Sequence, residues 1–284
     1  MSYRKRRPRS ERGARPKRHA PDARQKELAR RVEAIRAALC GRRLGLVKYK
    51  PSNPVEIVRR IRMAVQKNRP LQLIVFWGGA KTRETRKNWP DRAEESTLLN
   101  IAEVRQQLEQ FGLAVEVNIL AMDNYELMLN QRTTGEVAQY VSGMIELTDP
   151  LGFRLERLSN VYHRRGFNPD RLKPSERKMR EYVHELYERV KKDEDIMGQL
   201  TRLAKLRQSR DPEEAVRQYV VHHAFDDFLL ERTYPGAVYA SLGNPKTQRE
   251  ISNLPTIFYY QNKEPGKIGE FGVPWFAVKP NIGK

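Results

Sequence analysis

The sequence predicts an α/β fold, a mostly parallel sheet with flanking helices, a helical insert and short strands near the C-terminus. Two observations lead to this fold class. Residues 71–77 and 114–122 are near-continuous apolar runs, typical of strands that are covered on both faces. An amphipathic stretch at residues 92–111 separates them. A strand, a helix and a strand at this spacing form a parallel βαβ unit.

A basic tail precedes this unit. Residues 1–26 contain eleven Lys or Arg and two acids, a net charge of +9 out of +19 for the whole chain. Residues 1–25 have no apolar periodicity, so they cannot bury enough surface to offset the entropy lost on ordering. We therefore expect a disordered tail at residues 1–25 and a single α/β domain at residues 26–284.

Apolar residues at three- and four-residue spacing predict the remaining helices. They fall at residues 25–40, 54–67, 133–147, 175–190, 194–208 and 212–232. The last three form the helical insert, about residues 174–232. Asn53 is expected to cap the second helix with its side chain, because Pro54 then occupies the first helical position. Further strands are predicted at residues 152–158, 237–242, 256–260 and 273–278.

Composition limits the cellular setting and the partners. No apolar run approaches the roughly 20 residues that cross a bilayer, and no apolar signal region opens the chain. Cys40 is the single cysteine, so an internal disulfide is excluded and a reducing compartment is favoured. These features predict a cytoplasmic protein without membrane association. The charge of +10 outside the tail favours polyanions such as RNA, DNA or phosphorylated metabolites.

A basic turn follows the first strand. Gly78 and Gly79 lead into Lys81, Arg83 and Arg86. Glycines allow backbone N–H groups to approach an anion, and a lysine binds phosphate or, when desolvated, reacts with a carbonyl. The spacing of a nucleotide phosphate loop is absent, and a solvated basic loop is the alternative interpretation.

Three carboxylates belong to the same candidate site. Asp91 and Glu94 open the helix after the basic turn, either as a capping pair or as functional acids. Asp123 ends the second strand, and we interpret it as functional because a carboxylate there has no structural advantage over Asn. Since ligands bind beyond the carboxyl ends of parallel strands, Lys81 and Asp123 are expected to share one site.

The histidines give no comparable signal. None has a metal-ligand spacing, so no metal and no cofactor are expected. His222 and Asp226 are four residues apart on a predicted helix, which we interpret as a surface contact.

The order of these features resembles the isonitrile synthase family of pyoverdine and dityrosine biosynthesis, over roughly residues 55–280. The matching segments are the helix at 55–67, the strand leading to Lys81, Pro90-Asp91-Arg92-Ala93-Glu94, Asp123, Tyr234-Pro235-Gly236-Ala237-Val238 with Ser241, and Trp275. Three segments depart from the family pattern. Met122-Asp123-Asn124 replaces Ser-Asp-Gly, Ser241-Leu242-Gly243 replaces Ser-Ile-His, and Trp275-Phe276 replaces Trp-His. The last two departures remove histidines that could shuttle protons at neutral pH.

The resemblance implies a pocket for an amino acid and a reaction that joins its amine to a phosphorylated sugar. We therefore predict a transferase or synthase acting on an amino acid, or an aminoacyl group, and a phosphorylated co-substrate. Lys81, Asp123 and Glu94 are the candidate catalytic residues. The candidate substrate-binding residues are Gly78, Gly79, Arg83, Arg86, Asp91 and Ser241. The alternative function is that of an RNA-binding protein that uses the tail and the basic face.

Overall fold

The protein is described here from a computed structural model, which covers residues 23–40, 50–78, 89–90, 92–128, 132–174, 176–206, 211–242 and 245–259. These residues contain one sheet of five strands in the order β3-β2-β1-β4-β5, and every neighbouring pair is parallel. The strands are β1 (Leu71–Trp77), β2 (Val115–Ala121), β3 (Arg154–Arg157), β4 (Val238–Ser241) and β5 (Thr256–Phe258). The predicted fold class is confirmed.

Helices cover both faces of the sheet. In chain order they are α1 (Ala23–Leu39), α2 (Pro54–Lys67), α3 (Arg92–Gln110), α4 (Asp123–Met128), α5 (Thr134–Thr148), α6 (Leu158–Arg164), α7 (Arg177–Lys192), α8 (Glu194–Leu206), α9 (Pro212–Thr233) and α10 (Pro245–Ile251). None of these helices is long and apolar enough to cross a membrane.

Side chains of β1 alternate between two hydrophobic cores. Leu73 and Val75 belong to a first core that includes residues of α1, α2, α3 and α5. Ile74 and Phe76 belong to a second core, built mainly from α6, α7, α8 and α9. Because successive residues of a strand point to opposite faces, a strand covered on both sides must be apolar throughout. This requirement explains why β1 was recognisable as an uninterrupted apolar run.

The carboxyl ends of the central strands are aligned by their register. Trp77 lies opposite Ala121 of β2, and Phe76 lies opposite Ser241 of β4. The Met122 amide continues the ladder by donating to the Trp77 carbonyl at 2.9 Å. Residues that follow these positions therefore share one edge of the sheet.

One close packing contact holds the entry to α3 against α5. A Cβ atom placed on Gly143 of α5 would lie 2.5 Å from Cδ of Pro90. This distance is far below van der Waals contact, so the approach requires a residue without a side chain.

The predicted elements within the described ranges were found, with two kinds of exception. Asn53 was wrongly expected to cap α2 with its side chain: its backbone is left-handed (φ 46°) and it makes no such hydrogen bond. The short helices α4, α6 and α10 were missed, because six or seven residues are too few for a helical repeat to appear. The tail and the strand predicted at residues 273–278 lie outside the described residues, and the division into tail and single domain stays a prediction.

Candidate functional site

The candidate site lies where the chain connections diverge at the carboxyl edge of the sheet. From β1 the chain passes through α3, on the face of the first core, to reach β2. From β4 it passes into α10, which packs on α7 and α9 on the opposite face. Connections that leave two adjacent parallel strands toward opposite faces open a crevice between them, the usual ligand site of such sheets.

Gly78 and Ser241 stand at this crevice. Gly78 directly follows β1 and is exposed, and a Cβ atom there would meet no atom of the described residues within 4 Å. Ser241 is the last residue of β4 and is buried, and its carbonyl accepts a hydrogen bond from the Tyr259 amide at 3.0 Å. With respect to the described residues, the backbone of Gly78 is accessible to a ligand.

Asp123 is a buried carboxylate at the end of β2. Its Oδ1 accepts from the Ser159 amide at 2.9 Å, and its Oδ2 accepts from Arg157 Nε at 2.8 Å and from the Ser159 hydroxyl. It thereby ties the end of β2 to the first turn of α6. The interpretation that a carboxylate has no structural advantage here is wrong, because the carboxylate forms an ion pair with Arg157 that an asparagine would not form.

Glu94 is buried in the first turn of α3 and belongs to a hydrogen-bonded chain of three side chains. Trp77 Nε1 donates to the Tyr140 hydroxyl at 3.0 Å, and that hydroxyl donates to Glu94 Oε1. Burial, together with the nearby Glu94 charge, raises the pKa of Tyr140 well above its usual value, so the phenol stays protonated. Glu94 is therefore oriented from β1 through α5.

Asn124 is a polar residue of this edge that sequence reasoning did not select. It is 2% exposed, and neither Oδ1 nor Nδ2 of its side chain has a hydrogen-bond partner among the described residues. The available signal was its place immediately after Asp123. A single sequence could not show that the amide would be buried without a partner.

Five other predicted site residues lie outside the described residues: Gly79, Lys81, Arg83, Arg86 and Asp91. The structure thus places Gly78, Ser241, Glu94 and Asp123 at one edge of the sheet.

A second polar cluster lies beneath this edge, in the second core. Asp226 of α9 is buried and accepts hydrogen bonds of 2.6 Å from the hydroxyls of Tyr125 and Tyr162. His222 is also buried, with its ring 5.6 Å from that of Tyr125. The prediction of a surface contact between His222 and Asp226 is therefore wrong, because this face of α9 packs against α4 and α6.

Burial shifts the protonation of this cluster in opposite directions. It raises the pKa of Asp226 to about 7, against the hydrogen bonds of the two tyrosines, which lower it. It lowers the pKa of His223 to about 3, and the neighbouring His222 lowers it further. Both groups thus favour their neutral forms, as expected for ionisable side chains in an apolar interior.

Comparison with known proteins shows a shared fold. No family model and no curated protein sequence matches the chain. Among solved structures, the PvcA protein from Pseudomonas aeruginosa has a TM-score of 0.58 at 15% identity, over 86% of this chain and 88% of PvcA. A tryptophanyl-tRNA synthetase from Encephalitozoon cuniculi, bound to tryptophan, has a TM-score of 0.47 at 12% identity, over 88% of this chain and 69% of the synthetase. The likeness to PvcA shows a shared fold.

A cleft of about 660 Å³ lies at the opposite, amino-terminal edge of the sheet, between α2, the start of β1 and the end of α9. Arg60 is buried beside it, donating to Glu56, Glu231 and the Ala237 carbonyl. Neither Gly78 nor Ser241 lines this cleft. In the part of the chain that the structure describes, no three His, Cys, Asp or Glu side chains form a metal-binding group.

Proposed function

We propose that the chain is an isonitrile-synthase-like enzyme, a transferase or synthase that acts on an amino acid, or an aminoacyl group, and a phosphorylated co-substrate. The observation that carries this proposal is the crevice between β1 and β4, with Gly78 and Ser241 at its edge and buried carboxylates beside it. The order of sequence motifs that resembles the isonitrile synthase family also supports it.

The proposed reaction needs few groups from the protein. An amine that attacks the carbonyl of a phosphorylated sugar must first lose a proton, and the carbonyl oxygen must gain one. Glu94 would accept or return these protons, because it is a carboxylate at the crevice whose orientation is set by Tyr140. In the sequence Lys81 follows Gly78 by three residues, and its ammonium would bind the phosphate or the carbonyl.

Asp123 would orient the amine rather than carry the proton. Its two oxygens already accept three hydrogen bonds, from Arg157 and Ser159, which fix the direction of the carboxylate. Gly79, Arg83, Arg86 and Asp91 complete the proposed site as anion-binding and substrate-binding residues.

Thermal stabilisation by substrates tests this proposal. We expect one or more standard L-amino acids to raise the melting temperature of the full chain, and a ketose phosphate to raise it further, because each binds the folded state. Lys81→Ala should abolish the response to the phosphate and keep the response to the amino acid. Lys178→Ala, which removes an exposed lysine of α7, is the matched control. No stabilisation by any amino acid would contradict the proposal.

RNA binding is the second candidate function, and the charge of the chain favours it. Eleven of the first 26 residues are Lys or Arg. We expect RNA affinity that falls steeply with salt and weakens when residues 1–26 are deleted, because released counterions drive such binding. An RNA affinity that does not change with salt or with deletion of the tail would contradict this candidate.

A further inference from the structure

The cleft at the amino-terminal edge of the sheet has the size of a ligand pocket. Its volume is about 660 Å³, and pockets for small molecules measure about 300–1,000 Å³. Residues from the second half of α2, the start of β1, the end of α9 and the turn before β4 line it. The crevice of the proposed enzyme lies at the other end of the strands, so this cleft is a separate site.

Two cations that line the cleft are unpaired. Lys67 ends α2 and Arg69 lies in the turn before β1; both are exposed, and neither side chain has a hydrogen bond or ion pair within the described ranges. Arg59 and Arg60 also line the cleft, but both already bind Glu56. The dipole of α2 favours a cation at Lys67, whereas Arg69 lies beyond the helix. Lys67 and Arg69 are therefore available to an anionic ligand.

Two carboxylates at the same cleft each have one oxygen available. Glu231 Oε1 accepts from Arg60 Nη2 at 2.7 Å, and Glu116 Oε2 accepts from Gln72 Nε2 at 3.5 Å. The second oxygen of each carboxylate has no hydrogen bond to a described residue. Glu116 is exposed, and the side chain of Glu231 is 40% exposed. A matching ligand therefore carries hydrogen-bond donors as well as an anion.

Pro70 and Pro235 add exposed apolar surface to the cleft. Leu73 pairs with Val238, and each proline lies three residues before its member of this pair. The two prolines thus occupy equivalent positions at the entrances of neighbouring strands, which lie about 4.8 Å apart. A planar ring can pack against such a surface through dispersion contacts.

We propose that this cleft binds a nucleotide. Arg69 binds its phosphate through the planar fork of the guanidinium, and Lys67 adds a point charge. Glu116 and Glu231 accept from the ribose hydroxyls, a contact that carboxylates make in dinucleotide sites. The base packs on the two prolines. A free mononucleotide and a unit of single-stranded RNA offer this same chemistry. The inference does not rest on the proposed amino-acid function, because that function uses the crevice at the opposite edge.

Isothermal titration calorimetry of the full chain tests the site. The probes are the common ribonucleoside 5′-monophosphates, the matching nucleosides, inorganic phosphate and a short single-stranded RNA. The double variant Lys67→Ala/Arg69→Ala should bind the best mononucleotide at least about tenfold more weakly, because it loses the charged hydrogen bonds to the phosphate.

The double variant Arg30→Ala/Lys178→Ala is the matched control. It also removes two exposed cations, neither of which lines the cleft. Its affinity should stay within about twofold of the wild type, because salt screens exposed charges at a distance. Since both double variants keep the tail, the difference between their RNA affinities reports the cleft alone.

Glu116→Ala tests the ribose contact separately. Removing this carboxylate should leave inorganic phosphate bound as well as before or better, and should weaken the mononucleotide about threefold or more. A merely structural role of Glu116 would change both affinities in the same direction.

The probes also separate the two sources of the nucleotide. Mononucleotide binding that depends on Lys67 and Arg69 identifies a free nucleotide, and the same dependence for RNA alone identifies a unit of RNA. Equal losses in the two double variants would overturn the inference, since net charge alone would then explain binding. Inorganic phosphate that binds the wild type as tightly as every nucleotide would also overturn it, as would the absence of binding by every probe.

Discussion

The hydroxyl of Tyr125 donates a 2.6 Å hydrogen bond to Asp226 Oδ2, although 101 positions separate the two residues in the chain. Tyr125 lies in α4, the short helix after β2, and Asp226 lies in α9. The contact joins the carboxyl edge of the sheet to α9, the longest helix of the second core. The carboxyl group of Asp226 is buried in this contact.

This burial predicts how Asp226 changes stability with pH. Its pKa is raised from 3.8 to about 7, so between these values the folded protein binds a proton that the unfolded chain has released. Its contribution to the free energy of unfolding is therefore full below about pH 4 and is lost as pH rises to 7. His223, with a pKa lowered from 6.5 to about 3, contributes in the opposite sense.

The variant Asp226→Asn separates the pH dependence due to Asp226 from that due to His223, because an asparagine does not titrate. We expect the wild type to lose stability relative to this variant between pH 4 and 7.5, by up to a few kcal/mol, at about 1.4 kcal/mol per unit of pKa shift. Urea unfolding of both proteins across this range measures the difference. Parallel curves would show that Asp226 titrates normally.

Gly143→Ala should destabilise the protein by about 1–3 kcal/mol, although alanine favours helices. The new methyl would lie 2.5 Å from Cδ of Pro90, so α5 or the entry to α3 must move. Gly198→Ala in α8 is the control: no atom of the described residues lies within 4 Å of its Cβ position, and about 0.5–1 kcal/mol of stabilisation is expected. Equal effects of the two changes in chemical denaturation would contradict the contact.

Arg60→Met should cost about 2 kcal/mol or more. Arg60 is 5% exposed, and its loss leaves the buried Ala237 carbonyl and Glu231 without their donor. Arg59→Ala is the control, since Arg59 shares the partner Glu56 but its side chain is 57% exposed, and below about 1 kcal/mol is expected. Urea unfolding of both variants tests the contrast, which a comparable loss in Arg59→Ala would refute.

Asp123→Asn should lower stability by about 1–3 kcal/mol, because the amide nitrogen faces donors where a carboxylate oxygen accepted. Arg157 loses its ionised partner. Asp149→Asn, at an exposed carboxylate, should stay within about 0.5 kcal/mol of the wild type. Thermal unfolding measures the stability of both variants. Activity of Asp123→Asn should be assayed at a temperature at which this variant is folded. A variant as stable as the wild type would indicate that the carboxylate is not needed by the fold.

The sequence by itself determined the α/β class and the strands and longer helices in the described ranges. The pattern of apolar residues depends on how many faces of an element are buried. β1 and β2 were predicted correctly because a strand buried on both faces is a nearly continuous apolar run. It also determined that polar residues follow the ends of the strands, because the order of residues along the chain places them there.

Tertiary structure alone decided which polar groups meet and which are left without partners. Asp123 joins Arg157 and Ser159, and Asp226 joins two tyrosines from α4 and α6, through contacts between segments far apart in the chain. Asn124, at the same edge, has no hydrogen-bond partner for its side chain among the described residues. The physical reason is that hydrogen bonding and burial depend on the packing of several elements at once, and no local pattern of residues encodes that packing.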